Sequence, residues 1–303
     1  MTSIFITGIA GMLGSNLAYL LRDNYHVGGV DLHEIVMDKV YPNVFSALDM
    51  EQIKQQLIKN GTNILIHCAA LVNVDECEVN PEYATLVNYT TTKNLAWICE
   101  ELGIKMIFIS TDAVFDGKRD GLYCEEDSPG PISMYGKTKL LAEEAVLSGK
   151  QNLVVRTNIY GYNYREKNSF GEWILNSLIS NMELNMFYDI YFSPILVNEL
   201  AEVLDLCIRN NLNGLYHICS TGSISKYDIA NAIMEEFKID GCINKVSMEN
   251  YKFKAPRTKN MGLSNQKICD TLGIQIRTPR ESVTEFKRLY DSGYPEQLKG
   301  KTI

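Results

Sequence analysis

The chain has 303 residues, of which 46% are hydrophobic and 22% are charged, and its formal net charge is −8. This mixture fits a globular protein with one large core and a smaller lobe. No apolar stretch approaches the roughly 20 residues needed to span a bilayer. No signal peptide precedes the first apolar run, so we expect a cytoplasmic protein without a membrane partner. The absence of a lysine and arginine run argues against a nucleic-acid partner.

The eight cysteines are scattered along the chain and form neither a C-x-x-C pair nor a cluster with histidine. Metal-binding and redox sites built from cysteine need such a spacing. We therefore expect reduced, mostly buried thiols, and we assign no residue to a metal ion.

Short apolar runs alternate with helix-period segments through the first half of the chain. The runs lie at 4–6, 27–30, 64–66, 106–109 and 153–155. Parallel sheets covered by helices on both faces have this pattern. We predict an α/β fold, a doubly wound parallel sheet (Rossmann) with a second, smaller α/β substrate-binding lobe.

The pattern loosens after residue 157, which suggests where the two lobes divide. We assign 1–157 to a dinucleotide-binding domain, to which 195–217 return, and 158–194 with 218–303 mainly to the substrate-binding lobe. A polar stretch without periodicity at 162–168 indicates a loop. Helices are predicted over 198–210 and 226–237, the second beginning after Ser225 as its N-cap.

The first strand runs directly into a glycine-rich turn at residues 7–14. Its three glycines permit a tight turn, a close approach of the backbone to a pyrophosphate, and close packing of the next helix. The N-terminus of that helix offers free N–H groups and a positive dipole to phosphates. A position between a strand and a helix is the context that the motif requires. We therefore predict that this turn binds a dinucleotide through Gly8, Gly11, Met12, Leu13 and Gly14.

Asp31 ends the second strand, about 20 residues past the glycines, where an acid binds the adenosine ribose hydroxyls and repels a 2′-phosphate. No arginine follows it closely, although Lys39 is near enough in sequence to reach in. NAD(H) is therefore the favoured cofactor, by roughly tenfold or more, and NADP(H) the weaker one. Asp49 and Met50 are assigned to the adenine end of the cofactor site, where Asp49 would bind the adenine amino group. Alternatively, Asp49 is the N-cap of a helix beginning at Met50.

Three further residues follow one another along the chain in an order that indicates a catalytic site. Tyr135 and Lys139 are four residues apart at the start of a predicted helix and share one face of it. A tyrosine, with a free pKa of about 10, is a poor proton donor until a neighbouring ammonium lowers that pKa. The hydroxyl of Thr111, at the end of the preceding strand, can bind the same substrate oxygen. We predict a triad of Thr111, Tyr135 and Lys139.

These stretches resemble the extended short-chain dehydrogenases/reductases, and within them the dTDP-4-dehydrorhamnose reductase family. The most specific match joins Ser-Thr-Asp-x-Val-Phe-Asp-Gly at 110–117 to Tyr-Gly-x-x-Lys at 135–139. Further matches cover nearly the whole chain, at 8–14, 67–70, 74–78, 87–88, 156–157, 189–194, 214–217 and 257–263. The resemblance implies an NAD(P)H-dependent reductase that delivers hydride to C4 of a nucleoside-diphosphate 4-keto-6-deoxy sugar, with Tyr135 as general acid.

The resemblance also implies binding residues for the cofactor and for a nucleotide-sugar substrate. The cofactor residues it adds are Ala69, Ala70, Tyr135 and Lys139. The substrate residues are Val74, Thr111, Asp112, Tyr135, Asn158 and Arg257. Asn158 and Arg257 would hold the diphosphate, and the loop 162–170 would close over the sugar. A homodimer is compatible with the resemblance.

Three departures leave the sugar undetermined. Ala113 replaces a family tyrosine, Asn158 begins a segment in which the family has tryptophan, and Thr258 follows Arg257 where the family has proline. A sugar-nucleotide epimerase, which would recycle its cofactor, is therefore an alternative. A dehydratase is less expected, because no second acid follows Asp112. The alternative of another class is a non-catalytic dinucleotide-binding subunit, resembling the regulatory subunit of methionine adenosyltransferase.

Overall fold

A computed structural model describes residues 1–300 of the chain. Its strands within that range, β1 to β14 in chain order, are Ser3–Thr7, His26–Asp31, Val40–Val44, Ile64–His67, Lys105–Thr111, Leu153–Thr157, Ile159–Tyr160, Leu184–Phe187, Tyr191–Phe192, Ile195–Leu196, Gly214–His217, Ile224–Ser225, Ile243–Val246 and Asn260–Met261. Its α-helices there, α1 to α12, are Met12–Leu21, Met50–Lys59, Val74–Val79, Pro81–Thr85, Thr91–Leu102, Met134–Leu147, Phe170–Ile179, Val197–Arg209, Lys226–Phe237, Gln266–Leu272, Pro279–Asp291 and Tyr294–Leu298. A π-helix, Leu86–Thr90, links α4 to α5, and short 3-10 turns lie at Asp112–Val114 and Met248–Asn250. Within residues 1–300, no helix combines the length and the apolar composition that a membrane span needs.

The central sheet has seven parallel strands within the described residues, in the order β11-β6-β5-β4-β1-β2-β3. β1 lies between β2 and β4, with Ile4 opposite Val27 on one side and Ile64 on the other. The strand order therefore reverses beside β1, and sheets of this type bind ligands in the crevice beyond the carboxyl ends of the strands at that point. The predicted doubly wound parallel sheet is confirmed.

Helices cover both faces of this sheet, which is why its strands are almost continuously apolar. On one face, Leu17 of α1 and Leu204 of α8 belong to the same buried cluster. On the other face, Leu95 of α5 and Val146 of α6 pack with Phe108 of β5. The returning segment 195–217 thus supplies both a covering helix and the edge strand β11.

A separate buried cluster lies among α7, α9 and α11. Leu178, Ile233 and Phe286 are completely or almost completely buried in it. Two small sheets, β12-β9-β14 and β13-β8, border this cluster. Ser225 begins α9 as its N-cap and accepts from the Asp228 N–H at 3.0 Å, as the sequence predicts. The domain boundaries themselves stay a prediction.

The helical segment that begins at Pro81 contains the π-helix, and Asn88 lies in this part of it. Its side chain accepts from the Leu71 N–H at 2.8 Å and donates to the Leu71 carbonyl at 3.1 Å. It also donates to the Thr138 hydroxyl at 3.3 Å, which donates to the Tyr135 carbonyl at 2.8 Å. Asn88 therefore connects the chain after β4 to the start of α6.

Candidate active site

A cavity of about 980 Å³ opens beyond the carboxyl ends of β1, β2, β4 and β5 and extends to α9. This volume is at the upper end of the range for small-molecule sites. Most of the predicted site residues line it: Gly8, Gly11, Met12, Leu13, Gly14, Asp31, Ala69, Ala70, Val74, Thr111, Asp112, Tyr135, Lys139, Asn158 and Arg257. The fold thus brings together residues from both halves of the chain.

The glycine turn has a geometry that larger residues would disrupt. Gly8 has φ +74°, and a Cβ there would lie 2.9 Å from the Ala69 nitrogen. A Cβ on Gly14 would lie 2.1 Å from the Gly8 carbonyl oxygen, so α1 packs directly on the turn. Gly11 precedes α1 without a side-chain cap, which leaves the first N–H groups of the helix to another acceptor. The turn therefore fits a dinucleotide pyrophosphate.

Asp31 lies at the end of β2, where an adenosine ribose would be expected. Its carboxylate accepts from the Ala10 N–H at 3.1 Å and from the His33 N–H at 3.0 Å. Lys39 does not line the cavity, and its ammonium pairs with Asp23 at 2.6 Å.

Asp49 and Met50, expected at the adenine end of the cofactor site, do not line the cavity, and their contact with a cofactor stays a prediction. Asp49 is the N-cap of α2, and its two carboxylate oxygens accept from the backbone and side-chain nitrogens of Gln52 at 3.0 and 2.6 Å. Met50 packs against the core beneath α2. The cavity is lined at this place by the residues just before them, Ser46, Ala47 and Leu48.

The predicted triad meets at the carboxyl end of β5. Ser133 caps α6 by accepting from the Gly136 N–H at 3.2 Å, which places Tyr135 and Lys139 in the first turns of the helix. The Tyr135 hydroxyl lies near the side chain of Thr111, which ends β5. The Lys139 ammonium donates to the Ile109 carbonyl at 2.6 Å and lies 4.0 Å from the Phe108 ring centroid.

Burial dominates the electrostatics of this triad in the free protein. Burial raises the pKa of Tyr135. The neighbouring Thr111 hydroxyl acts to lower this pKa, and the charge of Asp112 acts to raise it further. Burial lowers the pKa of Lys139 to about 7, although the negative charge of Glu143 acts to raise this pKa. In the free protein the effect of burial on the Tyr135 pKa therefore prevails, and the lowering of this pKa by Lys139 in the presence of a cofactor stays a prediction.

Asp112, a predicted substrate residue, lines the cavity next to Thr111 and Asn158. Its carboxylate accepts from the Thr111 hydroxyl at 3.0 Å and from the Asn158 amide at 2.6 Å. Burial raises the pKa of Asp112 to about 6, while these two hydrogen bonds and the ammonium of Lys226 oppose the rise. Asn158 thus has one N–H engaged by Asp112, which leaves its second N–H for a phosphate.

Arg257 lies beside two aromatic rings at the outer end of the cavity. Its Nη2 is 2.9 Å from the Asp75 carboxylate, which also accepts from the Ala255 N–H at 2.9 Å. Its guanidinium carbon lies 5.5 Å from the Phe253 ring centroid, and Phe187 is 5.9 Å from the same ring. A cation next to aromatic faces suits a phosphorylated nucleoside.

The sequence did not indicate several residues that line the cavity. Lys226, Phe187 and Phe253 belong to or border elements of the smaller lobe, and no spacing relates them to the motifs. Tyr162, predicted to be part of a covering loop, is instead buried and donates its hydroxyl hydrogen to the Phe286 carbonyl at 2.8 Å. The loop that lines the cavity begins only at Asn163.

Comparisons with known proteins agree with this geometry. The family model of the RmlD substrate binding domain matches residues 1–291. A probable low-salt glycan biosynthesis reductase from Haloferax volcanii is 32% identical over 293 residues, which are 94% of this chain and 97% of that protein. The beta subunit of methionine adenosyltransferase 2 from Xenopus tropicalis is 30% identical over 295 residues, which are 93% of this chain and 87% of that protein.

A solved structure supplies the three-dimensional comparison. The dTDP-4-dehydrorhamnose reductase from Bacillus anthracis, in complex with NADP, has a TM-score of 0.85 and 27% identity, covering 95% of this chain and 99% of that chain. The predicted resemblance is confirmed. The family match covers nearly the whole chain, and a glycine turn, a strand-end threonine and a Tyr-x-x-x-Lys helix surround one cavity. The chain therefore belongs to the RmlD family, which is a family of extended short-chain dehydrogenases/reductases and includes sugar-nucleotide reductases.

Proposed function

We propose that the protein is an NAD(P)H-dependent reductase of a nucleoside-diphosphate 4-keto-6-deoxy sugar, with Tyr135 as general acid. The observation that carries the proposal is the arrangement of one cavity. The glycine turn and Asp31 lie at one end, Thr111 and Tyr135 in the middle, and Arg257 at the other end. A dinucleotide and a sugar nucleotide can therefore approach the same hydroxyl from opposite sides.

The bound cofactor would supply the hydride, and the protein would supply the proton. Reduction of a ketone creates an alkoxide, which a positioned acid must protonate. Burial and Asp112 keep the Tyr135 hydroxyl protonated in the free protein. The charges of Lys139 and of an oxidised nicotinamide would lower its pKa toward the working pH in the complex, as an effective general acid requires. Thr111, fixed by its hydrogen bond to Asp112, would orient the same substrate oxygen.

The substrate end is suited to a nucleoside diphosphate. Lys226 and Arg257 bring two cationic side chains to the cavity, and Phe187 and Phe253 bring two aromatic rings. The cations would neutralise the diphosphate, and the rings offer a stacking surface to the base. Asp75, which binds Arg257 and the Ala255 N–H, would keep the guanidinium in place.

The test is turnover of nucleoside-diphosphate 4-keto-6-deoxy sugars that differ in base and sugar, with NADH or NADPH deuterated at the transferred position. A reductase consumes one cofactor per sugar and delivers one deuterium to C4, which mass spectrometry detects. Isomerised sugar without net cofactor consumption would instead identify an epimerase. Tight cofactor binding with no turnover of any substrate would identify the dinucleotide-binding regulatory subunit.

A further inference from the structure

His67, the last residue of β4, is 1% exposed and contacts a hydroxyl group at each of its ring nitrogens. Its Nδ1 lies 2.6 Å from the Thr7 hydroxyl, and its Nε2 lies 3.0 Å from the Thr92 hydroxyl. Thr7 immediately precedes Gly8 of the glycine turn, and Thr92 lies in α5, four residues after Asn88. The imidazole therefore connects the glycine turn to α5.

The two hydroxyl groups determine which ring nitrogen of His67 carries the hydrogen. Burial and the charge of Lys139 lower the pKa of His67 to about 3, so the imidazole is neutral and has one N–H. Thr92 donates its only hydroxyl hydrogen to the Asn88 carbonyl at 2.7 Å, so it accepts from His67 Nε2. Nδ1 is then an acceptor, and Thr7 donates to it. His67 is therefore the Nε2–H tautomer.

The same hydrogen bonds continue to Tyr135. Asn88, whose carbonyl accepts from Thr92, donates its side-chain amide to the Thr138 hydroxyl at 3.3 Å. Thr138 donates in turn to the Tyr135 carbonyl at 2.8 Å. Thr92, Asn88 and Thr138 are each at most 1% exposed, and hydrogen bonds are stronger in such a buried setting. The orientation of the imidazole thus affects the segment that carries the Tyr135 ring.

We infer that His67 is a positioning residue for Tyr135, which it holds through Thr92 and Asn88 by donating from Nε2. The inference rests on the proposed function only in taking Tyr135 as the proton donor. Both nitrogens of His67 are engaged by hydroxyl groups of the protein, so the imidazole itself transfers no proton to the substrate. Because a misplacement of about 1 Å at a reacting group can cost about 10²-fold in rate, this residue should affect turnover more than substrate affinity.

Two substitutions of His67 separate the roles of the two ring nitrogens. The side-chain amide nitrogen of glutamine reaches the place of Nε2, so His67→Gln keeps the donor to Thr92 and loses the acceptor for Thr7. Asparagine is shorter, so in His67→Asn the amide oxygen takes the place of Nδ1 and the donor to Thr92 is lost. With the keto sugar that the wild type reduces, His67→Asn should lower kcat by about 10- to 100-fold and change KM less than about threefold, whereas His67→Gln should keep most of the kcat.

Thr92→Val removes the hydroxyl between His67 and Asn88 and should lower kcat as His67→Asn does. Because both changes interrupt one path, the double variant should lose little more than either single variant. Thr85→Val is the matched control, because the Thr85 hydroxyl donates in the same way to the Pro81 carbonyl at 2.7 Å but lies outside this path. The control should keep the wild-type kcat.

Two NMR measurements on the whole protein test the inference without a substrate. In the ¹⁵N spectrum at pH 7, the His67 ring, assigned by its absence in His67→Asn, should have a protonated Nε2 and an unprotonated Nδ1. The ¹³Cζ signal of Tyr135, assigned by its absence in Tyr135→Phe, should move in His67→Asn and Thr92→Val. It should stay in place in His67→Gln and Thr85→Val.

A protonated Nδ1 would overturn the inference, and so would equal kcat values in His67→Asn and His67→Gln. A raised KM with an unchanged kcat in His67→Asn would overturn it as well, because His67 would then shape the cavity without positioning the proton donor. If the wild type reduces no keto sugar, the proposed function fails alone. A Tyr135 signal that stays in place in His67→Asn would contradict the inference in that case too.

Discussion

Arg156 and Glu143 form a buried, two-armed ion pair beneath the carboxyl end of β5. Arg156 Nη2 lies 2.7 Å from one carboxylate oxygen of Glu143, and Nε lies 3.0 Å from the other. The side chains are only 4% and 2% exposed. Ser110, next to Thr111, donates to the same carboxylate at 2.5 Å. Because Glu143 is one helical turn beyond Lys139, the pair connects α6, β5 and β6 directly under the triad.

We predict that Glu143→Gln destabilises the protein strongly. It leaves the Arg156 charge buried without a counter-charge, a change that costs about 3–5 kcal/mol in the free energy of unfolding. Urea denaturation measures this difference. Glu144→Gln, at the exposed neighbouring position on α6, is the matched control and should change the free energy of unfolding by less than about 0.5 kcal/mol. Equal effects of the two variants would show that the buried pair does not contribute to stability.

We predict that Tyr135→Phe removes most of the turnover. The variant lacks the acidic hydrogen and retains the ring, so turnover should fall by roughly 10²–10⁴-fold. Cofactor affinity and the unfolding temperature should change little. Steady-state kinetics with the keto sugar that the wild type reduces measures the loss. Tyr290→Phe, at a partly exposed position on α11, is the control and should keep full turnover. Undiminished turnover in Tyr135→Phe would rule out this hydroxyl as the proton donor.

We predict that NADH affinity falls as the pH rises through about 7. Burial lowers the pKa of Lys139 to about 7, so its amine is charged below this pH and neutral above it. An ammonium that binds the ribose hydroxyls of the cofactor loses this interaction on deprotonation. Titration of NADH between pH 6 and pH 8.5, by fluorescence or calorimetry, measures the change. Lys139→Met should bind NADH weakly at every pH in this range; a pH dependence that survives the substitution would assign it to another group.

We predict that Asp112→Asn stabilises the fold above pH 6. In the folded state the pKa of Asp112 is about 6, above the ordinary value of 3.8. Ionisation of Asp112 therefore lowers the free energy of unfolding progressively as the pH rises from 3.8 to about 6. The loss amounts to about 3 kcal/mol at most. The variant should therefore be more stable than the wild type at pH 7 and similar to it below pH 4.

Urea denaturation at pH 4, 6 and 8 tests this pH dependence. Asp120→Asn, at an exposed position, is the control and should show no comparable change with pH. A variant that is less stable than the wild type at pH 8 would mean that the attraction between Asp112 and Lys226 outweighs the burial of the carboxylate. Greater stability together with lower turnover would show that the site retains a costly charge for its function.

The parts of the site that could be predicted are those whose residues are neighbours in the sequence. The glycine turn follows β1 directly, and Tyr135 and Lys139 share one helical face, so local pattern is sufficient. Asp49 shows the limit of such reasoning, because an aspartate before a helix has the same local pattern whether it caps the helix or binds a ligand. In the structure the carboxylate caps α2 through its contacts with Gln52, and a contact with adenine stays a prediction.

Other features depend on tertiary packing that no local pattern encodes. Arg165 reaches His33 across half of the chain, and Lys226 faces Asp112 only because the smaller lobe packs over the end of β5. β3 lacks an apolar run because it is an edge strand with Tyr41 and Val44 exposed. Pro42 can lie within it for the same reason, since an edge strand has one side that forms no ladder hydrogen bonds.

We predict that Arg257→Ala raises the Michaelis constant for the sugar nucleotide. In the free protein the guanidinium is 2.9 Å from Asp75 and 5.5 Å from the Phe253 ring centroid, so it is already placed at the outer end of the cavity. Loss of a charge-assisted phosphate contact weakens binding by about 1.5–3 kcal/mol, which is roughly 10- to 150-fold. The proposed cofactor site lies at the opposite end of the cavity, so the Michaelis constant for the cofactor should change little.

Asp75→Asn separates the binding role of Arg257 from a structural one. The amide oxygen of asparagine can still accept from the Ala255 N–H, which keeps the segment in place, while the charge that competes with a diphosphate for the guanidinium is removed. If Arg257 binds the diphosphate, Asp75→Asn should leave the Michaelis constant for the sugar nucleotide unchanged or lower it, whereas Arg257→Ala raises it. If Arg257 only fixes the fold through its ion pair, both substitutions break the same contact. They should then lower the unfolding temperature by similar amounts and leave the Michaelis constant unaffected.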